Sequence, residues 1–181
     1  MEKYELAAAL YDVSHLTGRF VLRSGRTTSE YFDKYRFESD PALLGAIAER
    51  AAGEMPPGVD VLAGLELGGV PIATALSLRS GFPVVFVRKQ AKTYGTSKLA
   101  EGVDIAGRNV LVVEDVITSG GQVALSTLEL RKLGAVVTDV LCVVDREEGG
   151  VERLAEHGLK LHALFTAAEL KVAAALRTLP H

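Results

Sequence analysis

Apolar residues recur at helical spacing over residues 6–16 and the stretch closes at Gly18, so a first helix is expected there. Short strands are expected at 20–22 and 31–35, on either side of a turn at Ser24-Gly25-Arg26. Asp40 followed by Pro41 reads as an N-cap and first-turn pair, opening a helix along Ala42, Leu43, Ile47 and Ala51. Pro56-Pro57-Gly58 breaks the chain. After it the pattern changes to short apolar runs at 59–63, 82–87, 109–113, 136–144 and 159–165. Helical windows at 70–78, 123–133, 151–157 and 167–176 separate or follow them. Strands that are apolar throughout and spaced by helices imply a parallel sheet covered on both faces. The expected architecture is an α/β, doubly wound parallel sheet flanked by helices, one domain over residues 1–181 with a small N-terminal segment of about 1–38.

Composition adds limits. The 181 residues are 48% hydrophobic and 24% charged, which excludes a disordered chain. No apolar run reaches the ~20 residues of a bilayer span, and the acidic N-terminus lacks signal-peptide character, so a soluble cytoplasmic protein without a membrane partner is expected. The single cysteine, Cys142, lies in an apolar run and reads as a buried thiol. The net charge of −3 hides two basic stretches: Arg19, Arg23, Arg26, Lys34 and Arg36, then Arg88, Lys89, Lys92 and Lys98. Such runs are ordinarily solvated faces. The second, however, carries Thr93, Gly95, Thr96 and Ser97, a loop composition that suggests a small polyanion as ligand. Nucleic acid is not expected, because neither stretch interleaves the aromatics of a stacking platform.

In sheets of this kind ligands bind beyond the carboxyl ends of the strands. Residues 110–122 are the most specific stretch there: four apolar residues, the acids Glu114 and Asp115, then Val116-Ile117-Thr118-Ser119-Gly120-Gly121-Gln122 leading into a helix. Free backbone N–H groups and hydroxyls at a helix start can hold a phosphate. The two carboxylates can accept hydrogen bonds from sugar hydroxyls or approach a hydrated cation. A solvated sheet edge would also explain two acids. The metal-binding strand of P-loop nucleotide hydrolases looks similar, but no G-x-x-x-x-G-K-[ST] segment accompanies it, and no G-x-G-x-x-G follows a strand.

Residues 110–122 resemble the phosphoribosyl-pyrophosphate signature of type I phosphoribosyltransferases, and further segments resemble the orotate phosphoribosyltransferase family. These are Arg88-Lys89-Gln90-Ala91-Lys92-Thr93-Tyr94-Gly95 for the catalytic loop, and Leu22-Arg23-Ser24-Gly25-Arg26 with Tyr31-Phe32-Asp33 for a substrate hood. Glu66-Leu67-Gly68-Gly69 resembles the pyrophosphate loop, and Asp145-Arg146 the orotate-carboxylate site. The resemblance implies transfer of a 5-phosphoribosyl group from phosphoribosyl pyrophosphate to orotate in UMP biosynthesis. It implies Mg²⁺ bound mainly through substrate oxygens and water, with no direct protein ligand, and a homodimer with shared sites. Glu114 and Asp115 would hold the ribose hydroxyls, and residues 116–122 the 5-phosphate. Arg88, Lys89, Lys92 and Tyr94 would neutralise pyrophosphate, with Lys92, Tyr94 and Asp115 in catalytic roles. Arg23, Tyr31, Phe32, Thr118 and Arg146 would surround orotate.

Three positions depart from the family pattern: Arg23 and Gly68 where members have lysine, and Tyr94 where many have histidine. Tyr94 stays neutral near pH 7 and so is a poor candidate for a titrating acid. A bland reading of Arg146 is a surface pair with Asp145 or Glu147, and of Tyr31 and Phe32 simple packing of the hairpin. A lid over residues 91–101, mobile without substrate, is expected. A purine or uracil phosphoribosyltransferase is the alternative, and a non-catalytic ligand-sensing regulator of the same fold is another.

Overall fold

The computed structural model describes residues 1–22, 25–90 and 99–177. Helix α1 (Lys3–Ser14) leads into a hairpin of β1 (His15–Val21) and β2 (Thr27–Phe32), and a one-turn helix α2 (Tyr35–Glu38) follows. Helix α3 (Pro41–Glu54) begins where Asp40 was expected to cap it: Asp40 Oδ1 accepts from the N–H groups of Ala42 (2.8 Å) and Leu43 (3.1 Å). Pro41 has no N–H to satisfy, so Asp40 pairs both N–H groups that follow it in the first turn.

The remaining chain alternates as the apolar runs require. It supplies β3 (Val61–Leu65), α4 (Gly69–Ser80), β4 (Val84–Val87), β5 (Ala100–Gly102), β6 (Val110–Ile117) and α5 (Gly121–Lys132). Then come β7 (Asp139–Asp145), α6 (Gly150–Ala155), β8 (Lys160–Thr166) and α7 (Ala167–Arg177). The six-stranded sheet runs β5-β4-β3-β6-β7-β8 and all neighbours are parallel except β4 and β5. Chain order reverses between β3 and β6, which opens a crevice at their carboxyl ends.

Alternate residues of each strand face opposite layers. Leu62, Leu111, Leu141 and Phe165 pack with α1, α3, α4 and α7, whereas Val61, Val112, Val140 and Cys142 pack with α5 and α6. Burial pushes the Cys142 thiol pKa upward. Among the described residues no helix is long and apolar enough to cross a membrane.

One expectation needs correction, and the structure adds detail to three others. Tyr35 begins a helix and does not extend a strand, because the chain turns at Lys34 to bury Phe37 under the sheet. The sheet is not wholly parallel, since β5 returns antiparallel along β4. Of the expected lid, residues 91–98 lie outside the described residues, while Leu99 and Glu101 at its end adjoin that pairing; the Arg88 N–H donates to the Leu99 carbonyl at 2.9 Å. The N-terminal segment is only partly an addition: Leu6, Ala7, Ala8 and Leu10 of α1 are buried in the main core.

Candidate active site

Four segments meet at the carboxyl ends of the strands: 66–69 after β3, Arg88 and Lys89 after β4, 114–122 across the end of β6, and 145–150 after β7. The first loop is tied to the second, since Glu66 Oε2 accepts from the Lys89 N–H at 2.9 Å. Its Glu66–Leu67 peptide is cis. Gly69 must lie flat against β6, because a Cβ there would come within 2.3 Å of the Val113 carbonyl oxygen. Arg88 faces Glu101 at 3.7 Å, and the Lys89 side chain is exposed.

Strand β6 continues through Ile117, four residues beyond its expected end, so the two acids lie within the sheet and not past it. Glu114 is half-buried; Asp115 is completely buried. The Asp115 N–H donates to Glu114 Oε1 (3.0 Å) and the Val116 N–H to Asp115 Oδ1 (2.5 Å). The Lys34 ammonium lies 2.6 Å from Asp115 Oδ2, an ion pair with the buried carboxylate. Glu38 sits against the same carboxylate.

Burial and the Asp115 charge push the pKa of Glu38 and of Glu114 up to about 9. Desolvation works against the Asp115 anion. Hydrogen bonds from Glu114 and Glu38, with the Lys34 ammonium, outweigh it and hold Asp115 below the ordinary aspartate range. At neutral pH one ionised carboxylate is thus flanked by two that retain protons. Burial opposes the Lys34 charge, yet Asp115 raises its pKa.

After the acids, Val116 is half-buried and Ile117 is fully core, its side chain packing among Val112 and Val123 while its carbonyl accepts from the Arg146 N–H (2.9 Å). Thr118 and Ser119 are exposed. Gly120 takes a left-handed φ of 71° as the residue before α5, and Gln122 is exposed in the first turn of that helix. Backbone N–H groups, two hydroxyls and the positive end of the helix dipole are therefore gathered at this one turn.

Tyr31, Phe32 and Arg146 line one cavity of about 310 Å³, together with His15, Glu30 and Lys171. Tyr31 stacks on Phe20 (centroids 5.5 Å apart), and the Arg146 guanidinium stands 5.9 Å from the centre of the Phe32 ring. Arg146 pairs with Glu148 at 3.4 Å and not with Asp145 or Glu147. Asp145 Oδ1 instead accepts from the Glu147 N–H, and Glu147 caps α7 through the Ala168 N–H. Arg23, Lys92 and Tyr94 lie outside the described residues.

The sequence reading missed Lys34 and Glu38, counting Lys34 only as one cation in a basic stretch. Their four-residue spacing was the available signal, visible only if residues 34–38 are recognised as a helical turn. Oxygen donors dominate the crevice, with Glu114, Thr118 and Ser119 at its rim, a set suited to a hard cation held largely by its ligand.

Comparison with known proteins converges. The family described as "Phosphoribosyl transferase domain" matches residues 38–159. The chain is 54% identical over 168 residues to an orotate phosphoribosyltransferase of Nocardioides, covering 93% of this chain and 94% of that one. Its structure superposes on Mycobacterium tuberculosis orotate phosphoribosyltransferase in complex with inorganic phosphate with a TM-score of 0.83 at 31% identity, covering 93% and 98% of the two chains. The same mycobacterial enzyme in complex with 5-phospho-α-D-ribosyl 1-diphosphate gives a TM-score of 0.75 at 31% identity, with 93% and 98% covered.

Proposed function

The chain belongs to the phosphoribosyl transferase family, and within it to the orotate phosphoribosyltransferases, and we propose how its own residues carry out that transfer. The reaction moves the 5-phosphoribosyl group from phosphoribosyl pyrophosphate to orotate, giving orotidine 5′-monophosphate and pyrophosphate. In our reading the 5-phosphate sits at the turn formed by Thr118, Ser119, Gly120, Gly121 and Gln122. Glu114 and Asp115 take the ribose hydroxyls. The diphosphate lies over residues 66–69, facing Arg88 and Lys89, with Lys92 and Tyr94 of the adjoining loop. Orotate occupies the cavity of Tyr31, Phe32 and Arg146, joined by Arg23 and Thr118, and places its ring nitrogen toward the anomeric carbon.

The observation that carries this assignment is the crevice between β3 and β6, where a phosphate-suited helix start and a carboxylate pair are set side by side. As the bond to pyrophosphate lengthens, positive charge gathers on the ribose ring and negative charge on the leaving group. A unit charge pair at ~4 Å and an effective dielectric of ~20 is worth about 4 kcal/mol, so fixed cations at the diphosphate favour departure. Mg²⁺, when bound, screens the diphosphate charge. This chain's oxygens at Glu114, Thr118 and Ser119 fit an ion reached mainly through substrate and water. Arg146 fits an anionic base: a guanidinium at the cavity wall can pair with a carboxylate, and a neutral purine has none to offer.

A spectrophotometric assay with orotate, run beside uracil, adenine and hypoxanthine, tests the assignment. Phosphoribosyl pyrophosphate should be consumed with orotate alone. Arg146→Ala should raise the KM for orotate by about tenfold or more, the loss expected for one charge-assisted contact. Equal turnover of a purine base would contradict the cavity's role.

A further inference from the structure

One turn of helix beside the hood hairpin aims two side chains at a single buried carboxylate. Lys34 and Glu38 stand four residues apart, so they share a face of α2. Lys34 Nζ is 2.6 Å from Asp115 Oδ2, and Asp115 is wholly removed from solvent. The point that a Cβ on Gly68 would occupy is 1.5 Å from Asp115 Oδ2 and 2.9 Å from Glu38 Oε1, so both carboxyl groups crowd against a residue without a side chain. Asp115 Oδ1 is separately fixed by the Val116 N–H. The Lys34 ammonium also lies 5.4 Å from the centre of the Tyr35 ring, which orients it from the other side.

We propose that Lys34 and Glu38 are positioning residues: from the hood turn they neutralise and orient the Asp115 carboxylate, and so set the geometry in which the Glu114–Asp115 pair meets the ribose of phosphoribosyl pyrophosphate. The inference rests on the reading of the β6 end as the ribose site. A carboxylate out of water requires a paired charge and satisfied oxygens. Lys34 gives the charge. Glu38 Oε1 and Asp115 Oδ2 both crowd the space beside Gly68, so the Glu38 side chain braces the carboxylate from the same helical turn. Without them, Asp115 would turn away from this position, and the strand end that presents Glu114 beside it would shift with it. The same chain segment also carries Tyr31 and Phe32 of the cavity assigned to orotate, so the turn joins the two substrate sites.

Calorimetric titration of phosphoribosyl pyrophosphate with Mg²⁺, alongside steady-state kinetics, tests this. Lys34→Met should raise both Kd and KM for phosphoribosyl pyrophosphate by about tenfold or more, while the KM for orotate moves less than about threefold. Lys34→Arg should recover most of the loss. Glu38→Gln, which keeps the brace, should bind near the parental level, whereas Glu38→Ala should not. In an Asp115→Asn background Lys34→Met should cost nothing further. Independent, multiplying effects of the two substitutions would overturn the proposal, as would a Lys34→Met protein that melts earlier but binds phosphoribosyl pyrophosphate unchanged. If Lys34→Met does not fold, the two Glu38 variants decide: equal affinities overturn it. Absence of heat with the unaltered protein would instead remove the ribose-site reading underneath, and that control separates the two failures.

Discussion

Gly68 stands where the missing side chain is space that Asp115 already fills, 1.5 Å from the point an added methyl group would take. Gly68→Ala therefore has to displace a buried carboxylate and the Lys34 ammonium with it. Overpacking of this kind costs about 1–3 kcal/mol, and activity should fall with it because the displaced group is the acid assigned to the ribose. Thermal melting and kcat/KM, measured together, check both halves. The same cluster gives stability a pH dependence with a definite sign. Glu38 and Glu114 titrate near 9 when folded but near 4.5 when unfolded. Between those values the folded state holds more protons, so stability falls as pH rises. Asp115 acts oppositely: its contribution is present above the unfolded value of 3.8 and is lost as pH falls through its lower folded value. The melting temperature should drop from pH 6 to pH 9, and more shallowly in Glu38→Gln; parallel slopes would contradict the assignment.

At the scale of elements, Asp40 shows local chemistry deciding a boundary. Its side chain closes two helical N–H groups, so Asp40→Ala should cost about 1 kcal/mol and lower the melting temperature by about 2–4 °C, without altering the KM for either substrate. This helix start was legible from sequence, as were the five parallel strands and the helices between them, because buried strands and amphipathic helices leave different periods in the chain. The rest depended on contacts with distant residues. Strand β5 has three residues and no alternation to read; it exists because β4 offers an unpaired edge. The strand carrying the acids was read too short because Glu114 and Asp115 look like an exit from the sheet. Only the approach of Lys34 and Glu38 makes a fully buried aspartate tolerable there. Arg146 lines one cavity with Tyr31 and Phe32, the residues grouped with it from the sequence, and its acidic partner there, Glu148, was not foreseen.

For the whole molecule, the described residues alone bring little positive charge to the crevice. The loop 66–69 brings no cation: its single ionisable side chain is Glu66, engaged with the Lys89 N–H, while Arg88 faces Glu101. Lys34, the nearest cation of the hood turn, is committed to Asp115. A polyanionic leaving group calls for further positive charge beside Arg88 and Lys89, and Lys92 is the next cation along the chain. Our reading places Lys92 over the site of a neighbouring subunit in a homodimer. Lys92→Ala and Asp115→Asn proteins, each nearly inactive alone, should then regain activity on mixing, because exchange creates dimers in which one site holds both intact residues. Random exchange of equal amounts makes half of the dimers mixed, and one of the two sites in each is whole, so recovery should approach a quarter of the activity of the unaltered protein. Sedimentation or native mass measurement would verify the exchange. Verified mixed dimers with no recovered turnover would place Lys92 over its own subunit's site.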